Sequence, residues 1–222
     1  MTKSASPLVH RLIPPREPGT GTTHPAVLLL HGRGADEKDL AGIAGYLDAR
    51  LSVISVRAPY RFAYGGGYTW YDMDDIGAPD PTMFQESYRR LTDFIGEQIR
   101  ASSIDPQQLF LFGFSMGTMM AYALALTMPR TFRGVVANSG FVPLAVGEEP
   151  KWNELSGTSF FISHGLFDPV IPVQLGRETR ELFRKSNAEW AYREYPIGHE
   201  ISEEGLRDAS SWLTSLIDRK RT

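Results

Sequence analysis

The stretch that decides the fold is Leu109-Phe110-Leu111-Phe112-Gly113-Phe114-Ser115-Met116-Gly117-Thr118, which continues into helix-forming residues as far as Met128. A short apolar run, then Gly-x-Ser-x-Gly, then a helical stretch reads as strand, sharp turn and helix, the pattern of a nucleophile elbow. The turn holds the serine in an uncommon backbone conformation, and glycines two residues to either side let strand and helix approach closely. The helix N-terminus then offers free N–H groups and its positive dipole end to any negative charge developing beside Ser115.

Outward from this stretch, short apolar runs alternate with helical patterns. Candidate strands lie at residues 9–13, 26–30, 53–56, 109–112, 135–138, 160–164 and 190–195. From residue 26 onward they are mostly continuous apolar runs, as expected of parallel strands covered on both faces. A capping box, Thr82-x-x-Gln85, predicts a helix whose core stripe is Tyr88, Leu91, Ile95 and Ile99. Asp105-Pro106 is expected to stop it and turn the chain toward the elbow strand. Further helices are expected at 118–128, 173–185 and 203–219, and a hairpin or loop at 14–25. The expected architecture is α/β, a single domain over residues 1–222. Its sheet is mostly parallel with helices on both faces, and residues 1–7 are disordered. The connection 140–158 is too short for a large cap domain, so the site is expected to be open.

Composition narrows the function. The net charge of −3 leaves no electrostatic footprint for nucleic acid. The absence of cysteine removes disulfides, thiol nucleophiles, Cys-based metal sites and S-acylation. The N-terminal stretch has no apolar signal region, and no apolar run approaches the ~20 residues that span a bilayer. The expectation is a cytoplasmic protein without a stable membrane anchor; a homodimer is left open.

A serine hydroxyl is a poor nucleophile at neutral pH and needs a base within reach, itself held by a third group. In doubly wound hydrolases the chain order is Ser, acid, His. Asp168, on the loop Gly165-Leu166-Phe167-Asp168-Pro169, and His199, in Pro196-Ile197-Gly198-His199, both follow candidate strands. Ligand sites of open α/β sheets form at such carboxyl ends. Glu194, Glu200 and Asp208 are weaker candidates for the acid, since none follows a strand by a tight turn. His31 and His164 read as structural, with His31 satisfying backbone groups near the site. A His-Gly turn at Leu30-His31-Gly32-Arg33-Gly34 suits an oxyanion hole, assigned to the backbone N–H groups of Arg33 and Met116. Asp72, Asp74 and Asp75 read as a solvated acidic loop, and no metal is proposed. Candidate substrate walls are Trp70, Tyr71, Met73, Phe141, Val142, Phe167 and Ile171.

With these residues in view, the chain resembles the phospholipase/carboxylesterase group of α/β-hydrolases, bacterial relatives of acyl-protein thioesterases. The resemblance runs from Ala26 to about Leu216. It rests on Leu-His-Gly-Arg-Gly-Ala-Asp (30–36), Ala-Pro-Tyr-Arg (58–61), Gly-Gly-x-x-Trp-Tyr-Asp (66–72), Gly-Phe-Ser-Met-Gly (113–117), His-Gly-x-x-Asp-Pro-Val-Ile-Pro (164–172) and Gly-His-Glu-Ile (198–201). It implies the triad Ser115, Asp168 and His199, and no cofactor. Two positions depart from the group: Arg33 replaces a small or apolar residue, which is expected to alter substrate choice, and Met116 stands where eukaryotic members often carry Gln. The expected function is hydrolysis of short- to medium-chain acyl esters, small-molecule substrates, through an acyl-enzyme. An acyl-thioesterase, a lysophospholipase and a peptidase would use the same constellation. A non-catalytic binding protein on this fold would be expected to have lost a triad member, and none is missing.

Overall fold

The computed structural model describes residues 8–101, 103–144 and 147–219, so the disorder expected of residues 1–7 lies outside the described residues. Strands form at β1 (His10–Ile13), β2 (His24–Leu30), β3 (Ser52–Val56), β4 (Tyr60–Arg61), β5 (Tyr68–Thr69), β6 (Ile104–Phe114), β7 (Gly134–Asn138), β8 (Ser159–Gly165) and β9 (Glu189–Tyr195). Helices are α1 (Pro81–Ala101), α2 (Met116–Thr127), α3 (Val173–Phe183) and α4 (Glu203–Asp218). Seven strands make one sheet in the order β1-β3-β2-β6-β7-β8-β9, parallel throughout except for β1. This is an α/β-hydrolase sheet with helices on both faces.

The apolar runs split between those faces with the period of a strand. Leu28 and Leu30 of β2, Leu109 and Leu111 of β6, and Val135 and Ala137 of β7 enter the layer covered by α1, α2 and α3. Their neighbours Val27, Leu29, Phe110, Phe112 and Val136 enter the opposite layer, under α4 and a 3-10 helix at Leu40–Gly45. Both faces are dry, so no polar alternation survives in the sequence. All twelve residues of α2 are buried, because it lies between the sheet and α1. Burying each leucine of such a run stabilises the fold by about 1.5–3 kcal/mol.

Two local expectations are corrected, and two segments are defined more closely. First, α1 is capped by Asp80, whose carboxylate accepts from Met83 N–H at 2.8 Å, and not by Thr82. Pro81 fixes the first helical φ, and the helix starts two residues earlier than a Thr82 cap would place it. Second, Asp105-Pro106 does not turn the chain. It sits inside β6, where the pairing with β2 shifts register between His24 and Ala26 and a missing N–H is tolerated. Third, of the hairpin or loop expected at 14–25, a loop forms over residues 14–23, since β1 pairs with β3 and not with β2, which begins at His24. Fourth, the segment 57–81 contains the hairpin β4–β5, whose two-residue strands are too short to show periodicity. The hairpin is stitched to the loop after β2 by Gly34 N–H to Tyr68 O and Tyr68 N–H to Ala35 O, both 2.8 Å. No helix among the described residues is long and apolar enough to cross a membrane.

Candidate active site

Ser115 occupies the single residue between β6 and α2, at φ 55° and ψ −121°. A non-glycine residue there costs of order 1–3 kcal/mol, which its surroundings must supply. They do so by close approach. A Cβ on Gly113 would lie 2.6 Å from Thr118 Cα, and one on Gly117 would overlap the carbonyl of Leu30. Polar bonds then lock the turn: Ser115 N–H donates to Asn138 O at 3.0 Å, Asn138 Nδ2 to Gly113 O at 3.0 Å, and Ser163 Oγ to Asn138 Oδ1 at 2.7 Å. Thr118 Oγ1 adds a bond to Asn138 O at 2.7 Å. Asn138, Thr118 and Ser163 were not singled out from sequence, because nothing marks a buried polar residue at a strand end as a brace.

The loops after β8 and β9 bring the acid and the base to the same point. Leu166 N–H donates to Tyr195 O at 2.8 Å and Phe167 N–H to Ile197 O at 3.0 Å, so the two loops are joined through backbone. Asp168 Oδ1 accepts from the N–H groups of Val170 and Ile171, at 2.9 and 2.8 Å. Its Oδ2 accepts from His199 Nδ1 at 2.7 Å, and Ser115 Oγ lies 2.8 Å from His199 Nε2. With Nδ1 carrying the proton toward the buried carboxylate, Nε2 is left to accept from the serine hydroxyl. Phe114 packs its ring 4.9 Å from the His199 ring and fixes its tilt.

Behind Asp168 lies a second histidine. His164 Nε2 donates to Ile171 O at 2.8 Å and stands 3.6 Å from Asp168 Oδ2. Burial holds its pKa below the ordinary histidine value, so it is neutral at pH 7 and braces the acid loop. His31 is also neutral by burial. It accepts from Ala58 N–H at 3.0 Å and donates to Gly32 O at 2.7 Å, the backbone role expected of it. The other candidate acids are engaged elsewhere or in solvent. Glu194 holds Arg177 through two 2.8 Å bonds, Asp208 accepts from Tyr195 Oη at 2.7 Å, and Glu200 is exposed.

The Met116 N–H opens α2 and lacks an intrahelical acceptor, as first-turn N–H groups do. Arg33 and Met116 both border a cleft of about 190 Å³ that opens on Ser115 and His199. Of the candidate walls, Met73 and Ile171 border it, together with Ile76, Phe114, Met119 and Val170. The other expected wall residues are corrected. Trp70 and Tyr71 are core: Trp70 is fully buried and donates Nε1–H to His31 O at 2.9 Å, and Tyr71 Oη donates to Met119 Sδ at 2.9 Å. Phe141 and Val142 are buried beside α2, and Phe167 is 69% exposed, outside the cleft. Apolar residues near a site in sequence have the same composition whether they face the cleft or the core, so the pattern could not separate them. Asp72, Asp74 and Asp75 are exposed.

Comparison with known proteins gives the family and the fold. The family model described as Phospholipase/Carboxylesterase matches residues 16–217. Acyl-protein thioesterase 1 of Candida albicans is 28% identical, covering 92% of this chain and 97% of its own length. The Debaryomyces hansenii protein of the same name is 30% identical over 69% of this chain and 71% of its own. Among solved structures, the Bacillus cereus carboxylesterase superposes with a TM-score of 0.83 at 24% identity, covering 95% of each chain.

Proposed function

We propose a serine-esterase function for this chain, which belongs to the phospholipase/carboxylesterase family. The observation that carries the reading is the unbroken contact series from Ser115 Oγ through His199 to Asp168, at 2.8 and 2.7 Å. Ser115 Oγ attacks the acyl carbon while His199 Nε2 takes its proton, and Asp168 stabilises the imidazolium that results. The Arg33 and Met116 N–H groups receive the oxyanion, with about 3 kcal/mol at stake for each donor. His199 then returns the proton to the leaving alkoxide. In the second half-reaction it removes a proton from water as the water oxygen attacks the acyl carbon, then returns that proton to Ser115 Oγ as the acid leaves.

The small cleft and the short 140–158 connection support short- to medium-chain acyl groups, with each buried methylene worth about 0.8 kcal/mol. We read residues 1–222 as one domain acting on small dissolved esters in the cytoplasm. Thioesters are the second reading, favoured by relatives named acyl-protein thioesterase. A panel of p-nitrophenyl esters and acyl-CoA thioesters tests both. Hydrolysis should be lost by a factor of at least about 10⁴ in Ser115→Ala, and stopped reactions should show the acyl group on the peptide containing Ser115. A variant that keeps a tenth of the wild-type rate would sink the assignment.

A further inference from the structure

The residues lining the cleft are apolar except for the catalytic pair and Arg33, and Arg33 is exposed where it borders the opening. Its guanidinium carbon stands 5.3 Å from the centre of the Phe62 ring, and no carboxylate lies within 4.0 Å of it among the described residues. Four other arginines of the chain differ. Arg50, Arg57, Arg89 and Arg177 each hold a carboxylate at 2.9 Å or less. The acids near Arg33 in sequence are already used: Glu37 forms a fork with Arg57, and Asp36 accepts from Lys38 N–H at 2.8 Å. Asp72 and Asp74 flank Met73 of the same cleft, but they are exposed and unpaired with it.

Phe62 stabilises the cation through its ring face, yet a ring face has no lone pairs with which to satisfy five N–H donors. A guanidinium at the edge of an apolar cleft also disfavours a plain alkyl chain laid against it, since the charge must keep its water. A carboxylate matches it, because two parallel N–H···O bonds replace that water. The whole-molecule charge of −3 works the other way, so any attraction of anions must come from this local group.

We propose that this cleft selects esters bearing a carboxylate a few bonds from the scissile carbonyl, and that Arg33 is the residue that recognises it. The inference rests on the esterase reading above. One residue then fixes two points of the substrate, the carbonyl oxygen by its backbone and the anion by its side chain.

The test is the ratio of kcat/KM for a carboxylate ester to that of its neutral amide isostere, which cancels any change common to both substrates. Two pairs separate the sides of the ester: 4-acetoxybenzoate against 4-acetoxybenzamide for the alcohol side, and monoethyl adipate against ethyl adipamate for the acyl side. For at least one pair the wild-type ratio should be about 10, falling to within about twofold of unity in Arg33→Met and below unity in Arg33→Glu. Raising salt from about 10 to 500 mM should shrink the wild-type ratio several-fold, a check that needs no variant. A wild-type ratio near one for both pairs, a ratio that survives in Arg33→Met, or one indifferent to salt overturns the proposal. If none of the four esters is hydrolysed, the esterase reading itself falls and takes the proposal with it.

Discussion

The floor of the cleft and its rim are built on opposite principles. The floor is Ser115, Asp168 and His199, held by backbone bonds, by glycines that admit no Cβ and by the buried brace of Asn138. Its three side chains have defined partners, and the carboxylate of Asp168 has no exposure. The rim is Arg33, Ile76 and Val170, three exposed residues. Chemistry requires atoms fixed to within a fraction of an ångström, whereas selection among substrates needs only surfaces of suitable shape and charge. The fold invests its rigidity accordingly.

The largest effect that could break this contrast lies in the floor. Asp168→Asn keeps the shape of the side chain but favours the wrong His199 tautomer, and should lower kcat by about 10³–10⁴. A silent Asp168→Asn, with Glu194→Gln inactive, would place the acid elsewhere. Next comes Trp70, which belongs to neither region. Trp70→Ala should destabilise the fold by about 3–5 kcal/mol in denaturant unfolding, without changing acyl-length preference. A shifted preference at unchanged stability would return Trp70 to the cleft wall.

A smaller effect concerns pH. His31 and His164 have folded pKa values below their unfolded ones, so each favours the native state in its neutral form. Their contribution is complete above the unfolded value of about 6.5 and is lost as pH falls below it, because the unfolded chain then binds more protons. The melting temperature should therefore drop on acidification from pH 7.5 to 5.5, and less steeply in His164→Gln. An equal slope in both proteins would remove His164 as a source of the acid sensitivity. The smallest effect is at the rim. Ile76→Ala should lower kcat/KM for a hexanoyl ester by a few-fold and leave acetyl esters nearly unchanged, as expected for a side chain that meets only longer acyl groups.

The same division decides what could be read before any coordinates. The floor was legible because its constraints are local in sequence: Gly113 and Gly117 bracket Ser115, and Asp168 and His199 each follow a strand by a few residues. The sheet was legible because strands buried on both faces leave unbroken apolar runs such as Val27 to Leu30. The rim was not, because Trp70 and Ile76 are both simply apolar, and one is core while the other is half exposed. Nor was the hairpin that carries Phe62 toward Arg33, since strands of two residues have no period to detect. The Asn138 brace escaped for a third reason: its partners Gly113, Thr118 and Ser163 come from three separate strands and helices.

The backbone stitching of the two loops after β8 and β9 has a consequence for how this protein can change. Leu166, Phe167 and Ile197 hold the loops together through main-chain groups, while the side chains of Leu166 and Phe167 project into solvent. Almost any amino acid except proline at 166 or 167 can supply the same N–H, so mutational drift there is uncoupled from the machinery beneath. A saturation library at residues 166 and 167 should retain a high fraction of active clones.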